Sequence, residues 1–250
     1  MASTTSSPTS DSASIAIRIS KVAKRYARLQ VLDGMDLDVP RGEFFGLVGV
    51  NGAGKTTCIK GMLDFTSIDA GSFEIFGAHH RETRARRHLA FLPERFLPPY
   101  YLSGRDFLDY MGRLHGCSSG EDERLAMCAK LDLDPAALAK PVREYSKGMA
   151  QKLGLAACFL SGKELFVLDE PMSGLDPKAR LLVKRHLQAC RSEGRTIFFS
   201  THMLSDVDEL CDRMGILHDG KLRFVGSPHE CRSAYSSETL EEAYLNCISA

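Results

Sequence analysis

With 250 residues, 44% of them apolar and 26% charged, the chain is long enough for one well-cored domain or two small ones, and its composition excludes disorder along most of its length. Its 32 Lys and Arg balance 32 Asp and Glu, so it lacks the global positive field with which non-specific nucleic-acid binders hold a polyanion, and no nucleic-acid partner is expected.

Residues 1–14 are rich in Ser and Thr, with neither a basic start nor an apolar stretch, and read as a disordered tail instead of a secretory signal. From Ile15 the pattern changes: Ile15, Ile17 and Ile19 alternate with other residues at the period of a strand, and residues 31–39 repeat the alternation. The run EFFGLVG at 43–49 is short, apolar and closed by glycines, and a helical stretch follows it, which predicts strand, tight loop and helix. Arg81, Arg84, Arg86 and Arg87 read as the solvated face of a short helix. Further buried runs at 89–92, 164–169, 196–200 and 214–217 are spaced widely enough for helices between them, predicting a mainly parallel sheet covered on both faces. Strand signals vanish over 102–160. There Phe107, Leu108, Met111 and Leu114, then Leu125, Cys128 and Leu131, recur at helical spacing and predict a helical insertion. No stretch reaches the roughly 20 apolar residues of a membrane span. Eight widely spaced cysteines without a CxxC pair read as reduced thiols, not as a disulfide or zinc framework.

Three motifs carry chemistry. GVNGAGKT at 49–56 fits the phosphate-binding pattern GxxxxGK[ST] in the strand–loop–helix setting that the pattern needs. Gly49, Asn51, Gly52, Ala53 and Gly54 would curve backbone N–H groups into an anion nest at a helix N-terminus. Lys55 would reach the outer phosphates and the Thr56 hydroxyl would ligate Mg²⁺. In LFVLDEP at 165–171, a buried strand runs into two carboxylates; Asp169 would hold the Mg²⁺ shell and Glu170 would polarise an attacking water. In YSKGM at 145–149, Ser146 is placed to cap a helix with Leu153, Ala156, Ala157 and Leu160 on one face, either as an ordinary cap or as a second anion contact.

Taken in order, Tyr26, GVNGAGKT at 49–56, YSKGM at 145–149, LFVLDEP at 165–171, SGLDP at 173–177 and STH at 200–202 resemble the ATP-binding subunit of an ABC transporter, over nearly all of the chain after residue 15. The resemblance implies an α/β P-loop NTPase (RecA-like) fold over residues 15–250. It would have a mainly parallel sheet, an N-terminal antiparallel β subdomain and a helical insertion subdomain at about 95–160. It implies that Tyr26 stacks on adenine, that residues 49–57, Thr57 included, form the Walker A loop, and that Asp169 and Glu170 are the Walker B aspartate and catalytic base. Ser146, Lys147, Gly148 and Met149 would be the signature, Asp176 the D-loop residue and His202 the switch histidine at the γ-phosphate. Two departures stand out. Glu94 replaces the family's Gln after the strand ending in Leu92 and is expected to keep the sensing role at Mg²⁺ or the attacking water, and the signature keeps only Ser146 and Gly148 of the usual pattern.

The family pairs two copies head to tail with ATP between the Walker A loop of one and the signature of the other, so a homodimer with two competent sites is expected. A separate transmembrane permease is expected as well, facing the helical insertion and the Glu94 loop, with this subunit on the cytoplasmic face of the membrane. The ending TLEEAYL at 239–245 and the YSKGM signature look most like stand-alone bacterial exporter ATPases. An importer subunit is the alternative, followed by a soluble ABC-type ATPase outside transport and by a purely structural nucleotide-binding module.

Overall fold

The structure, a computed structural model, describes residues 14–249; the expected tail therefore lies outside the described residues but for Ser14. In chain order the strands and helices are β1 (Ile15–Tyr26), β2 (Leu29–Pro40), β3 (Phe44–Val48), α1 (Lys55–Met62), β4 (Ala70–Ile75), β5 (Ala78–His79) and β6 (Leu89–Leu92). Then come α2 (Gly104–His115), α3 (Glu121–Lys130), α4 (Lys147–Leu160), β7 (Leu165–Asp169), α5 (Pro177–Ser192) and β8 (Thr196–Thr201). The chain continues through α6 (Leu204–Leu210), β9 (Arg213–His218), β10 (Lys221–Gly226), α7 (Pro228–Ala234) and α8 (Leu240–Ser249).

Two sheets result. β2, β1, β4 and β5 make an antiparallel sheet in that order, and β10, β9, β3, β8, β7 and β6 make the second, parallel except for β10 against β9. This is the α/β P-loop fold with an antiparallel β subdomain. β3 and β7 are buried at every position, as strands in the middle of a covered parallel sheet must be. The antiparallel sheet turns Ile17, Ile19 and Val22 inward onto Phe45, Phe198 and α1, where the Phe45 and Phe198 rings stack with centroids 5.7 Å apart. Register brings the chemistry together: Val48 lies opposite Thr201 and Asp169 opposite Ser200, so β3, β7 and β8 end at one edge of the sheet.

Between β6 and β7 the structure places α2, α3 and α4. Leu114 is 62% exposed, because α2 turns Phe107 and Leu108 inward and its last turn is left on the surface. In α4 every residue from Gln151 to Cys158 is buried, since this part of the helix lies between the parallel sheet, α2 and α3. Strands β4, β5 and β10 had no counterpart among the expected runs. β5 has two residues and, like β10, lies at a sheet edge, while β4 starts on Ala-Gly-Ser; β10 alternates exposed Lys221, Arg223 and Val225 with less exposed neighbours. The arginine run forms a 3₁₀ turn over Thr83–Arg86, where Arg84 pairs with Glu82 and Arg86 Nη1 donates to His80 O at 2.7 Å.

Candidate functional site

The loop after β3 is shaped by glycines that tolerate no substitute. A Cβ on Gly49 would stand 2.5 Å from Leu217 O, and one on Gly54 2.7 Å from Val31 O, while Gly54 also holds φ at 109°. The loop therefore threads between β2 and β9 and turns into α1, with the Ala53 amide donating to Val50 O at 3.1 Å. No acidic residue occupies the first turn of α1, so the partial positive charge of that helix end is not neutralised from within. Lys55, 6% exposed, folds back to donate from Nζ to Gly49 O at 2.7 Å and Val50 O at 3.3 Å.

Across from the loop, β7 ends in Asp169, whose Oδ1 accepts from Ser200 Oγ on β8. Beneath it on α1, burial pushes the Cys58 thiol up to about 12, with the Asp169 charge adding to the rise. The chain then kinks: Glu170 takes a left-handed φ of 49°, uncommon for a residue with a side chain. Its N–H is held by Ser200, through O at 3.2 Å and Oγ at 3.0 Å. The kink aims a buried carboxylate both ways. Oε1 is 3.5 Å from Lys55 Nζ, an ion pair without hydrogen-bond geometry, and Oε2 is 3.0 Å from His202 Nδ1. His202 follows β8 and is half exposed.

A cleft of about 380 Å³ lies between these walls. Asn51, Gly52, Gly54, Lys55, Thr56, Thr57, Glu94 and Glu170 line it together with Val31. Most of the expected site residues thus converge, with Gly49 and Ala53 in the backbone of the loop and Asp169 and His202 joined to Glu170 through Ser200 or directly. Tyr26 does not line this cleft. It stands at the end of β1 with its hydroxyl 3.3 Å from Thr66 Oγ1 and Lys24 Nζ 5.0 Å from its ring centre.

Ser146, Lys147, Gly148, Met149 and Asp176 form a separate group. Ser146 caps α4 by accepting from Met149 N at 3.2 Å, and Asp176 caps α5 by accepting from Ala179 N at 2.9 Å. Gly148 backs onto Gly174 O, and the Lys147 stem lies along Gly174, so the two caps are neighbours. Tyr145 fits where it does because Gly104 has no Cβ; its hydroxyl fills that space and donates to Ala137 O at 2.7 Å. Beside this group runs a largely apolar groove of about 500 Å³, bordered by Glu94, Phe96, Leu97, Tyr100, Tyr145 and Ser146 among others.

Sequence reasoning missed two residues that hold the site in shape. Ser200 bridges Asp169 and Glu170; the signal was a hydroxyl ending the apolar run TIFFS, legible only once β8 is placed beside β7. Gln151, buried in α4, donates from Nε2 to Pro171 O at 2.9 Å and ties the segment after Glu170 to the helix that Ser146 caps.

A family model described as ABC transporter matches residues 32–173. An ABC transporter ATP-binding protein of Synechocystis sp. is 38% identical over 203 residues, which cover 80% of this chain but only 57% of that protein, so the chain spans little more than half of that relative. The Nod factor export ATP-binding protein I of Burkholderia thailandensis is 35% identical over 236 residues, 92% of this chain and 74% of its own. Among solved structures, an ATP-binding subunit of an ABC transporter superposes with a TM-score of 0.86 at 28% identity, over 93% of this chain and 99% of that one.

Proposed function

The chain belongs to the ABC transporter family as an ATP-binding subunit, and from that membership we propose that it hydrolyses ATP as a head-to-tail dimer and thereby powers export through a separate membrane permease. The observation that carries the reading is the meeting of Lys55, Glu170 and His202 at the sheet edge where the phosphate loop ends. In this reading residues 49–54 hold the phosphates with their amides, and Lys55 leaves the carbonyls of Gly49 and Val50 for the outer phosphates. Glu170 orients and polarises the attacking water. His202 keeps the Glu170 carboxylate directed into the cleft and adds a contact at the γ-phosphate. Tyr26 serves the adenine from outside the phosphate cleft.

The donors present fit Mg²⁺. Thr56, Asp169 and Glu94 offer only oxygen, and Glu170 Oε1 is a buried oxygen without a hydrogen bond. Among the described residues no cluster of three or more His, Cys, Asp or Glu forms a cage, so the ion would be held by Thr56, Asp169 and the phosphates themselves, with Glu94 sensing its shell. When bound it supplies charge neutralisation at the phosphates.

Two further features support the assembly. Ser146, Gly148 and Asp176 lie together but apart from the cleft that Lys55 lines, as a site completed by a second copy requires. The apolar groove beside Glu94, with Leu97 87% and Tyr100 69% exposed, is where we place the permease. No described helix is long and apolar enough to cross a membrane; in this reading, which follows the transporter relatives, the subunit acts at the cytoplasmic face through that contact. Export as the direction rests on the Nod factor relative. The test is phosphate release from MgATP by the purified chain: Mg²⁺-dependent turnover abolished in Lys55→Ala supports the reading, and turnover unaffected by that change would refute it.

A further inference from the structure

Helix α8 turns Leu240, Ala243, Tyr244 and Cys247 into a small apolar core shared with Val48, Val207 and Ile216. Tyr244, 9% exposed, is the member that reaches the end of β3. It lines a cavity of about 260 Å³ whose other walls are Val48, Gly49, Val50 and Asn51 on one side and His202 and Leu204 on the other. Its hydroxyl is buried and makes no hydrogen bond in this arrangement. An apolar slot would be filled at least cost by Phe, and buried tyrosines ordinarily place the hydroxyl on a partner. Burial pushes the hydroxyl's pKa up, and the Val50 backbone, close enough to pull it down but outside hydrogen-bond geometry, is the polar group that faces it.

Those two walls are the start of the phosphate loop and the segment bearing His202. Through Tyr244, α8 therefore faces, across one cavity, both of the segments that the proposed chemistry uses. We propose that Tyr244 is a positioning residue for the nucleotide site: its ring buttresses residues 49–51 from behind, and its hydroxyl takes up the Val50 amide when the loop tightens on phosphate. α8 then reads out, and restrains, the state of the loop. This rests on the ATP-binding reading above, but the buttressing half of it can be measured without nucleotide.

The experiment compares the full chain with Tyr244→Phe and Tyr244→Leu, using backbone amide exchange over residues 49–53, unfolding midpoints, and KM and kcat for MgATP. Without nucleotide, Tyr244→Leu should exchange faster over 49–53 and Tyr244→Phe should match the wild type, because the Phe ring still fills the slot. With MgADP bound, Tyr244→Phe should lose protection at Val50. It should also show KM raised about three- to tenfold, as expected for one ordinary hydrogen bond, with kcat within about twofold and an unchanged unfolding midpoint. Wild-type exchange and KM in both variants would overturn the proposal and leave Tyr244 as core alone. Failure of the wild type to bind nucleotide would instead sink the ATP reading, while the nucleotide-free exchange of Tyr244→Leu would still decide whether the ring buttresses the loop.

Discussion

His202 Nδ1 stands 3.0 Å from Glu170 Oε2 while Lys55 Nζ stands 3.5 Å from the other oxygen of the same carboxylate. One buried acid is thus suspended between a cation of the phosphate loop and an imidazole that is half exposed. Removing the imidazole should leave nucleotide binding to the loop and misdirect the acid. His202→Ala is expected to lower kcat about 100-fold or more, within the range for a positioned acid–base partner, with KM for ATP changed little. Steady-state phosphate release checks it; a rise in KM at unchanged kcat would assign His202 to binding alone.

Ser200 carries more than its single hydroxyl suggests. Its Oγ donates to Asp169 and accepts from the Glu170 amide, so Ser200→Ala strips a buried carboxylate of a donor. The expected cost is about 1–3 kcal/mol of stability and about 10- to 100-fold in activity or Mg²⁺ affinity. Denaturant midpoints and a Mg²⁺ titration of turnover measure the two separately.

Glu94 lines the cleft with Glu170 and also borders the apolar groove, so one carboxylate touches both the nucleotide side and the proposed permease side. Glu94→Gln should retain turnover within a few-fold, and Glu94→Ala should lower it about tenfold and raise the Mg²⁺ concentration for half-activity. If neither change alters Mg²⁺-dependent turnover or permease-stimulated turnover, Glu94 has no sensing role.

Stability should fall on mild acidification. Burial is the largest cause holding the His80 imidazole below its usual pKa, and His115 and His186 are lowered for the same reason. A depressed folded pKa contributes stability that is present above the unfolded value, near 6.5, and is lost as pH falls through the folded values. Glu43 acts in the opposite sense: burial raises its pKa, so its contribution is present at low pH and lost as pH rises. The urea midpoint is therefore expected to drop from about pH 7.5 to about pH 5.5, and to drop less in His80→Gln. A midpoint that rises over that interval would contradict the sign.

The features legible in the sequence are those whose physics is local. Residues 49–56 and Asp169 with Glu170 each combine a contiguous pattern with the strand that must precede it, and the structure puts both at one sheet edge. Ser146 was legible as a helix cap for the same reason. Strands β4 and β10 were not: β4 opens on Ala-Gly-Ser and buries only Phe73 and Ile75, and β10 is an edge strand with exposed Lys221 and Arg223, so neither shows a clear apolar alternation. Ser200, Gln151 and Tyr244 were not recognisable as site residues because their partners lie 20 or more positions away, and only the packed fold makes them neighbours. The exposed Leu114 and the burial of every residue from Gln151 to Cys158 in α4 show the limit of periodicity, which reports where apolar residues fall and not how many faces a helix has covered.

Dimerisation on ATP is the part of the account that joins the cleft to the distant Ser146 and Asp176. If Glu170 activates water, Glu170→Gln keeps the shape and hydrogen bonds of the site but leaves ATP intact between two copies. Light scattering of that variant during size-exclusion chromatography in saturating MgATP is the most direct measurement. A mass of two chains that reverts to one when ATP is withdrawn is predicted, and a single chain throughout would contradict the account.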